Sequence, residues 1–253
     1  MNIFDGLLGY EKLMLLCGFI LFVFALVAIT VMIVQRRDFK MAMVLIIFAI
    51  VLMGFPGVQA IRFSQGMVEL DRIRTQPQAP ADPAQKAQDQ ALLRDLQQRA
   101  AGNPQLQAQV SDGYRAIGDV NRAYQLAQSV LREKPSAAVR KTLIPVLTAK
   151  LNAVRANAPA SPIAAANPIT ASVDISRQSE IATVAQQLQA QNVAVPLPAD
   201  SRIALAKAYV VLGQPQKAQT NVEAALKMDP KLKVNPALLH AASAGSIPPP
   251  PER

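Results

Sequence analysis

The chain has 253 residues, about half of them hydrophobic, with one Cys, one His, no Trp and a formal net charge of +9. One Cys excludes an internal disulfide framework and any multi-Cys zinc site, and one His leaves no His pair for a metal and makes a Ser–His or Cys–His nucleophile hard to assemble. Gly is scarce and no Gly-rich phosphate loop occurs, so neither a cofactor nor an enzyme is expected; the positive charge leaves anionic partners open, while the low aromatic content argues against a nucleic-acid platform.

The apolar residues cluster at the start. Leu13–Val34 and Met41–Ile61 contain no Asp, Glu, Lys, Arg or His, and a bilayer core is crossed by about 20 apolar helical residues. The expectation is a two-helix transmembrane hairpin joined by QRRDFK. No basic region precedes the first run and no small-residue cleavage site follows it, so it is not read as a signal peptide. Arg36, Arg37 and Lys40 crowd the connecting loop, and charge density favours that loop inside. The expected location is then a bacterial inner membrane, with the C-terminal domain periplasmic. No charge lies within either run, so no proton or ion path is marked.

Residues 62–82 read as a linker. Its first part can continue the helix from Ile61 to Thr75; its second carries Pro77 and Pro80, and Pro83 follows. A helix then starts at about Pro83, with Asp82 as N-cap, and presents Ala91, Leu92, Leu93 and Leu96 until Gly102-Asn103-Pro104 stops it.

Beyond that point the chain repeats itself. Pro104–Pro135 and Ala199–Pro230 align without gaps. They share a Tyr (Tyr114, Tyr209), a Gly four residues on (Gly118, Gly213), an Ala five further (Ala123, Ala218) and a closing Pro (Pro135, Pro230); Leu131 matches Leu226. The pattern is that of a helical hairpin. Gly makes the turn, Tyr of the first helix meets the small Ala of the second, and Pro ends the unit. Such a unit cannot bury its apolar face alone and must stack on neighbours.

This pattern resembles the tetratricopeptide repeat. The second copy carries Leu205, Ala206, Tyr209, Gly213, Ala218, Ala225 and Pro230 where that family places its large and small residues; the first departs at Val110, Ser111 and Val130. Between the copies, 136–198 reads as a degenerate middle repeat. It has a helix at Ala137–Ala156 that Pro145 bends or interrupts, an inserted loop at 157–174, and a helix at Ile175–Gln191 capped by Asp174. Pro236–Ala242 is a short capping helix, and 246–253 a Pro-rich disordered tail. The expected fold is all-α: the membrane anchor (1–61), then a repeat-built α-solenoid over 83–245.

Arg132, Lys134, Arg140, Lys141, Lys150 and Arg155 crowd one region, readable as a solvated face or as a contact for an anionic partner or lipid. The resemblance implies a concave surface made by first-helix residues: Gln105, Gln109, Asp112 and Arg115 in one copy, Asp200, Lys207 and Val211 in the other. The family's basic clamp for a terminal carboxylate is not recognisable. The partner-binding candidates are therefore Gln109, Asp112, Arg115, Arg140, Lys141 and Lys207; there are no catalytic, metal or cofactor candidates. The function expected is a membrane-anchored scaffold that binds proteins or peptides to assemble an envelope complex, for secretion, envelope biogenesis or cytochrome maturation. Two alternatives stand beside it: a structural subunit whose membrane hairpin makes the main contacts, and a cytoplasm-facing adaptor.

Overall fold

The structure, a computed structural model, describes residues 9–34, 44, 46, 47, 50, 63–75, 83–156 and 168–243. Among these the only regular secondary structure is helical, so the all-α expectation holds. The helices are α1 (Gly9–Val34), α2 (63–75), α3 (Pro83–Arg99), α4 (Pro104–Ala116), α5 (Val120–Arg132), α6 (Ala137–Ala156), α7 (Pro168–Gln191), α8 (Ala199–Val211), α9 (Pro215–Met228) and α10 (Pro236–Ser243). The chain divides into two compact units, Met1–Gly102 and Asn103–Arg253, so α3 belongs to the first unit and not with the repeats.

In the first unit, α1 exposes Leu16, Phe19, Ile20 and Phe24 and buries Gly18 and Ala25. Among the described residues no helix is long and apolar enough to cross a membrane. Of the second run only 44, 46, 47 and 50 are described. The transmembrane hairpin, and with it the two-span inner-membrane location with a periplasmic domain, is therefore withdrawn.

The first half of the expected linker is helical: α2 buries Phe63, Leu70 and Ile73, and α3 buries Leu93 and Leu96, while Ala91 is exposed. The two helices cross closely at Gly66, where a Cβ would sit 3.1 Å from Leu96 Cδ2 and 3.4 Å from Leu92 Cδ1. Arg72 bridges this pair, its Nε donating to Glu69 at 2.7 Å and its guanidinium lying 3.5 Å from the buried Asp89 carboxylate.

The second unit is a run of helical hairpins, and the two aligned segments form two of them. Each turn is closed alike. At the end of α4, Asp119 N–H donates to Tyr114 O (2.9 Å) and Gly118 N–H to Arg115 O (3.0 Å); at the end of α8, Gln214 N–H donates to Tyr209 O (2.8 Å) and Gly213 N–H to Val210 O (3.1 Å). Both are Schellman turns, which need one left-handed residue. Gly118 (φ 81) and Gly213 (φ 67) fill that place, and a Cβ on either would meet nothing, so glycine is required by conformation and not by space.

The middle hairpin departs from expectation at two points. α6 runs unbroken through Pro145, which sits on its exposed side over buried Val139, Leu143, Ile144, Leu147 and Leu151. α7 begins at Pro168, so 168–174 is helical and Asp174 lies inside the helix instead of capping it. Proline lacks the N–H that a first helical turn leaves unpaired anyway, so Pro168 starts a helix where the sequence pattern read a breaker. The remaining insertion, 157–167, and the tail from 244 onward lie outside the described residues.

The packing order is regular. α4 meets α5 and α6; α5 meets α6; α6 meets α7 and α8; α7 meets α8; α8 meets α9 and α10; α9 meets α10. Thus α4, α6, α8 and α10 form one continuous layer, and α5, α7 and α9 an outer layer whose members do not approach one another by backbone. Ile144, Leu147, Leu151, Ile181, Leu188, Leu205 and Val222 fill the space between the layers. Each such side chain contributes about 1.5–3 kcal/mol on burial.

Candidate functional site

Inside the continuous layer α6 and α8 each pack against four neighbouring helices and α4, at its start, against two; each keeps a stripe of side chains open to solvent. On α6 the stripe is Ala138, Lys141, Pro145 and Asn152; on α8 it is Asp200, Ile203, Lys207 and Val211; on α4 it is Gln105, Gln109 and Arg115. The touching layer is necessarily the tighter and the separated layer the wider, so these stripes line the concave side.

The sequence-predicted residues separate on this surface. Gln109, Arg115, Lys141 and Lys207 lie on it. Asp112 is buried and accepts from Arg115 Nε at 2.6 Å, so it orients the arginine and presents no carboxylate to a partner. Arg140 turns the other way. Its Nε donates to Pro135 O (3.0 Å) and its Nη1 to Gln191 Oε1 (3.0 Å), tying the start of α6 to the end of α7. Lys150, one of the basic crowd, is buried as well: Nζ donates to Asn121 Oδ1 (3.0 Å), pairs with Glu180 (2.6 Å) and lies 5.5 Å from the Tyr124 ring centre. The basic crowd is therefore not one patch.

Two clefts open where the outer helices stand apart, and sequence reasoning found neither. The first, of about 640 Å³, lies between α5 and α7 over the end of α6. It is crossed by the Lys150–Glu180 pair and, further along, Tyr124 OH donates to Gln187 Oε1 at 2.8 Å. The second, of about 720 Å³, lies between α7 and α9 over the end of α8. Among the described residues no hydrogen bond or ion pair spans it; Tyr209 forms part of its lining, with Lys217 Nζ 5.6 Å from the ring centre. Burial raises the pKa of both Tyr124 and Tyr209 above the ordinary tyrosine value, opposed at Tyr124 by hydrogen bonds to Gln128 and Gln187.

Comparison with protein-family models, curated proteins and solved structures finds no match for this chain. The site is thus read from its own chemistry. Among the described residues no group of His, Cys, Asp and Glu could hold a metal ion. The concave face offers amides, ammonium groups and small apolar side chains spread over three helices, suited to an extended polypeptide surface.

Proposed function

We propose that the second unit is a tetratricopeptide-like scaffold that holds a protein or peptide segment on its concave face. The observation that carries this reading is the packing order, in which α4, α6, α8 and α10 touch in series while α5, α7 and α9 do not. That order gives one curved, solvent-open stripe per hairpin. The shared Schellman turns and the Tyr, Gly, Ala and Pro register of the two aligned hairpins support it. The chain acts by recognition, gathering components of a complex, and it performs no bond chemistry.

The test is site-specific photocrosslinking in the full chain. A photoreactive residue replaces Lys141 or Lys207 on the concave face, and Glu223 or Lys227 on the exposed side of α9. The reading requires one shared polypeptide to crosslink from both concave positions and from neither α9 position. Crosslinks from α9 alone, or equally from all four sites, reject it.

A further inference from the structure

The cleft between α7 and α9 is separate from the concave face and is built from unlike material. Gln186, Gln189, Asn192, Gln214 and Asn221 all line it; Asn192 Oδ1 already accepts from Leu197 N–H and Arg202 Nη2, and Asn221 Nδ2 donates to Lys217 O, which leaves the Asn221 carbonyl and the three glutamine amides to the cleft. No lining residue is acidic, and Lys217 is the single charge there. Each carboxamide carries an N–H donor pair and a carbonyl acceptor in one plane, the same groups a peptide unit presents.

One of these amides has no partner of its own. Gln189 Oε1 is buried and receives no hydrogen bond. A buried acceptor left unpaired is unfavourable, and a rotation about the terminal torsion of this half-buried side chain would offer it to a donor in the cleft. The neighbouring cleft shows the contrast. There Lys150–Glu180 and Tyr124–Gln187 already connect the outer helices to their surroundings, whereas Gln219 and Gln216 stand where Tyr124 and Asn121 stand in the first hairpin. The α7–α9 cleft is left open, with amides on both walls.

Shape and charge narrow the occupant. The α7 wall from Ala182 to Ala190 is about 12 Å long, the length of about four extended residues. A pyranose ring would need an open aromatic face, but Tyr209 is only 7% exposed and the Lys217 ammonium lies over it. An amphipathic helix would need a continuous apolar groove, whereas five amides and Lys217 interrupt the apolar side chains among the twelve residues that line this one. The Lys217 ammonium, with no carboxylate among the lining residues, favours an acidic side chain.

We propose that the α7–α9 cleft is a second binding site, which takes a short extended peptide segment by its backbone, through Gln189 and Asn221, and favours an acidic residue opposite Lys217.

The experiment uses the full chain and three fluorescent hexapeptide mixtures, acetylated and amidated at their ends, with Glu, Ala or Lys fixed at the third position and the rest randomised. Anisotropy should show the Glu mixture binding at least fivefold tighter than the Lys mixture. Lys217→Glu should reverse that order. Gln189→Leu should weaken every mixture about threefold or more with an unchanged melting temperature, and Lys227→Glu on the exposed side of α9 should change nothing; Lys207→Glu on the concave face is measured beside them. Absence of binding, or a Glu preference that survives Lys217→Glu, overturns the proposal. Binding of chitotetraose in place of peptide overturns it in favour of a sugar site. Loss of peptide binding through Lys207→Glu alone moves the peptide to the concave face, which overturns this site and leaves the scaffold reading standing.

Discussion

In the α4–α5 hairpin both helices start on a side-chain cap: Asn103 Oδ1 accepts from Leu106 N–H at 3.1 Å, and Asp119 Oδ1 from Arg122 N–H at 3.3 Å. At the crossing, the buried Ser111 hydroxyl donates to Ala123 O at 2.8 Å. In α8–α9 the helices start at Pro198 and Gln214, neither of which makes a side-chain cap, and Ala206 stands where Ser111 does. The turn is the same and so is the buried alanine of the second helix, Ala123 or Ala218. One geometry is thus reached with polar locks in one hairpin and with apolar packing in the other. The parts the two hold in common, the left-handed Gly and the small residue at the crossing, are those for which the geometry admits few substitutes.

The largest effects should come from that shared crossing. Ala123→Leu and Ala218→Leu each place a large side chain where none is exposed, and each should cost about 1–3 kcal/mol. The first should cost more, because it also displaces the Ser111 bond. Urea unfolding of the full chain measures both; equal losses would mean that the polar lock adds nothing to the crossing.

Caps come next. Asp119→Ala should cost about 0.5–2 kcal/mol, whereas Gln214→Ala should be close to neutral because no cap is lost. Gln214→Asp should raise the melting temperature, since its backbone (φ −113, ψ 68) lies near that of Asp119 (φ −84, ψ 66). A Gln214→Asp variant no more stable than the parent would show that the second hairpin cannot use the first one's device.

Smaller still is the buried hydroxyl. Ser111→Ala should cost about 0.5–1.5 kcal/mol. Ala206→Ser, which transplants the hydroxyl to face Ala218 O, should change stability by less than about 0.5 kcal/mol, a lost apolar contact being offset by the new bond. A loss above 1 kcal/mol in that variant would mean the second crossing has no room for the lock.

The smallest effect depends on pH. Burial raises the folded-state pKa of Tyr209 above its ordinary value of about 10. The neutral phenol is therefore favoured in the folded chain. Its contribution is fully present below pH of about 10 and is lost as pH rises through the folded value. Chemical unfolding from pH 9 to 11.5 should show a shallower decline for Tyr209→Phe than for the parent; identical slopes would contradict the assigned burial.

The hairpins were legible because their determinants are local. Tyr, Gly, Ala and Pro at fixed spacing are short-range signals, and each sits where the turn geometry demands it. Pro168 was misread because proline marks both the end of one helix and the first turn of another. Arg140 and Lys150 looked like a surface patch because nothing near them in sequence is acidic; their partners, Gln191 and Glu180, arrive from 51 and 30 residues away. Asp112 carries a surface residue's chemistry but is held inward by Arg115, a contact that spacing permits without requiring. The two clefts could not be read at all, since each is assembled from three helices. The membrane reading followed hydropathy alone, and the described helices do not bear it out.

The packing order also governs how the second unit is made. No helix in it meets one more than two elements away. Its contacts therefore stay within neighbouring hairpins, the most distant of its side-chain hydrogen bonds joining residues 51 to 63 apart, and the entropy cost of closing a loop grows only slowly with its length. Low contact order is the condition under which helical chains fold in microseconds to milliseconds. Each hairpin can close as soon as its own turn is synthesised, and the hairpin before it then offers a surface on which the next can pack.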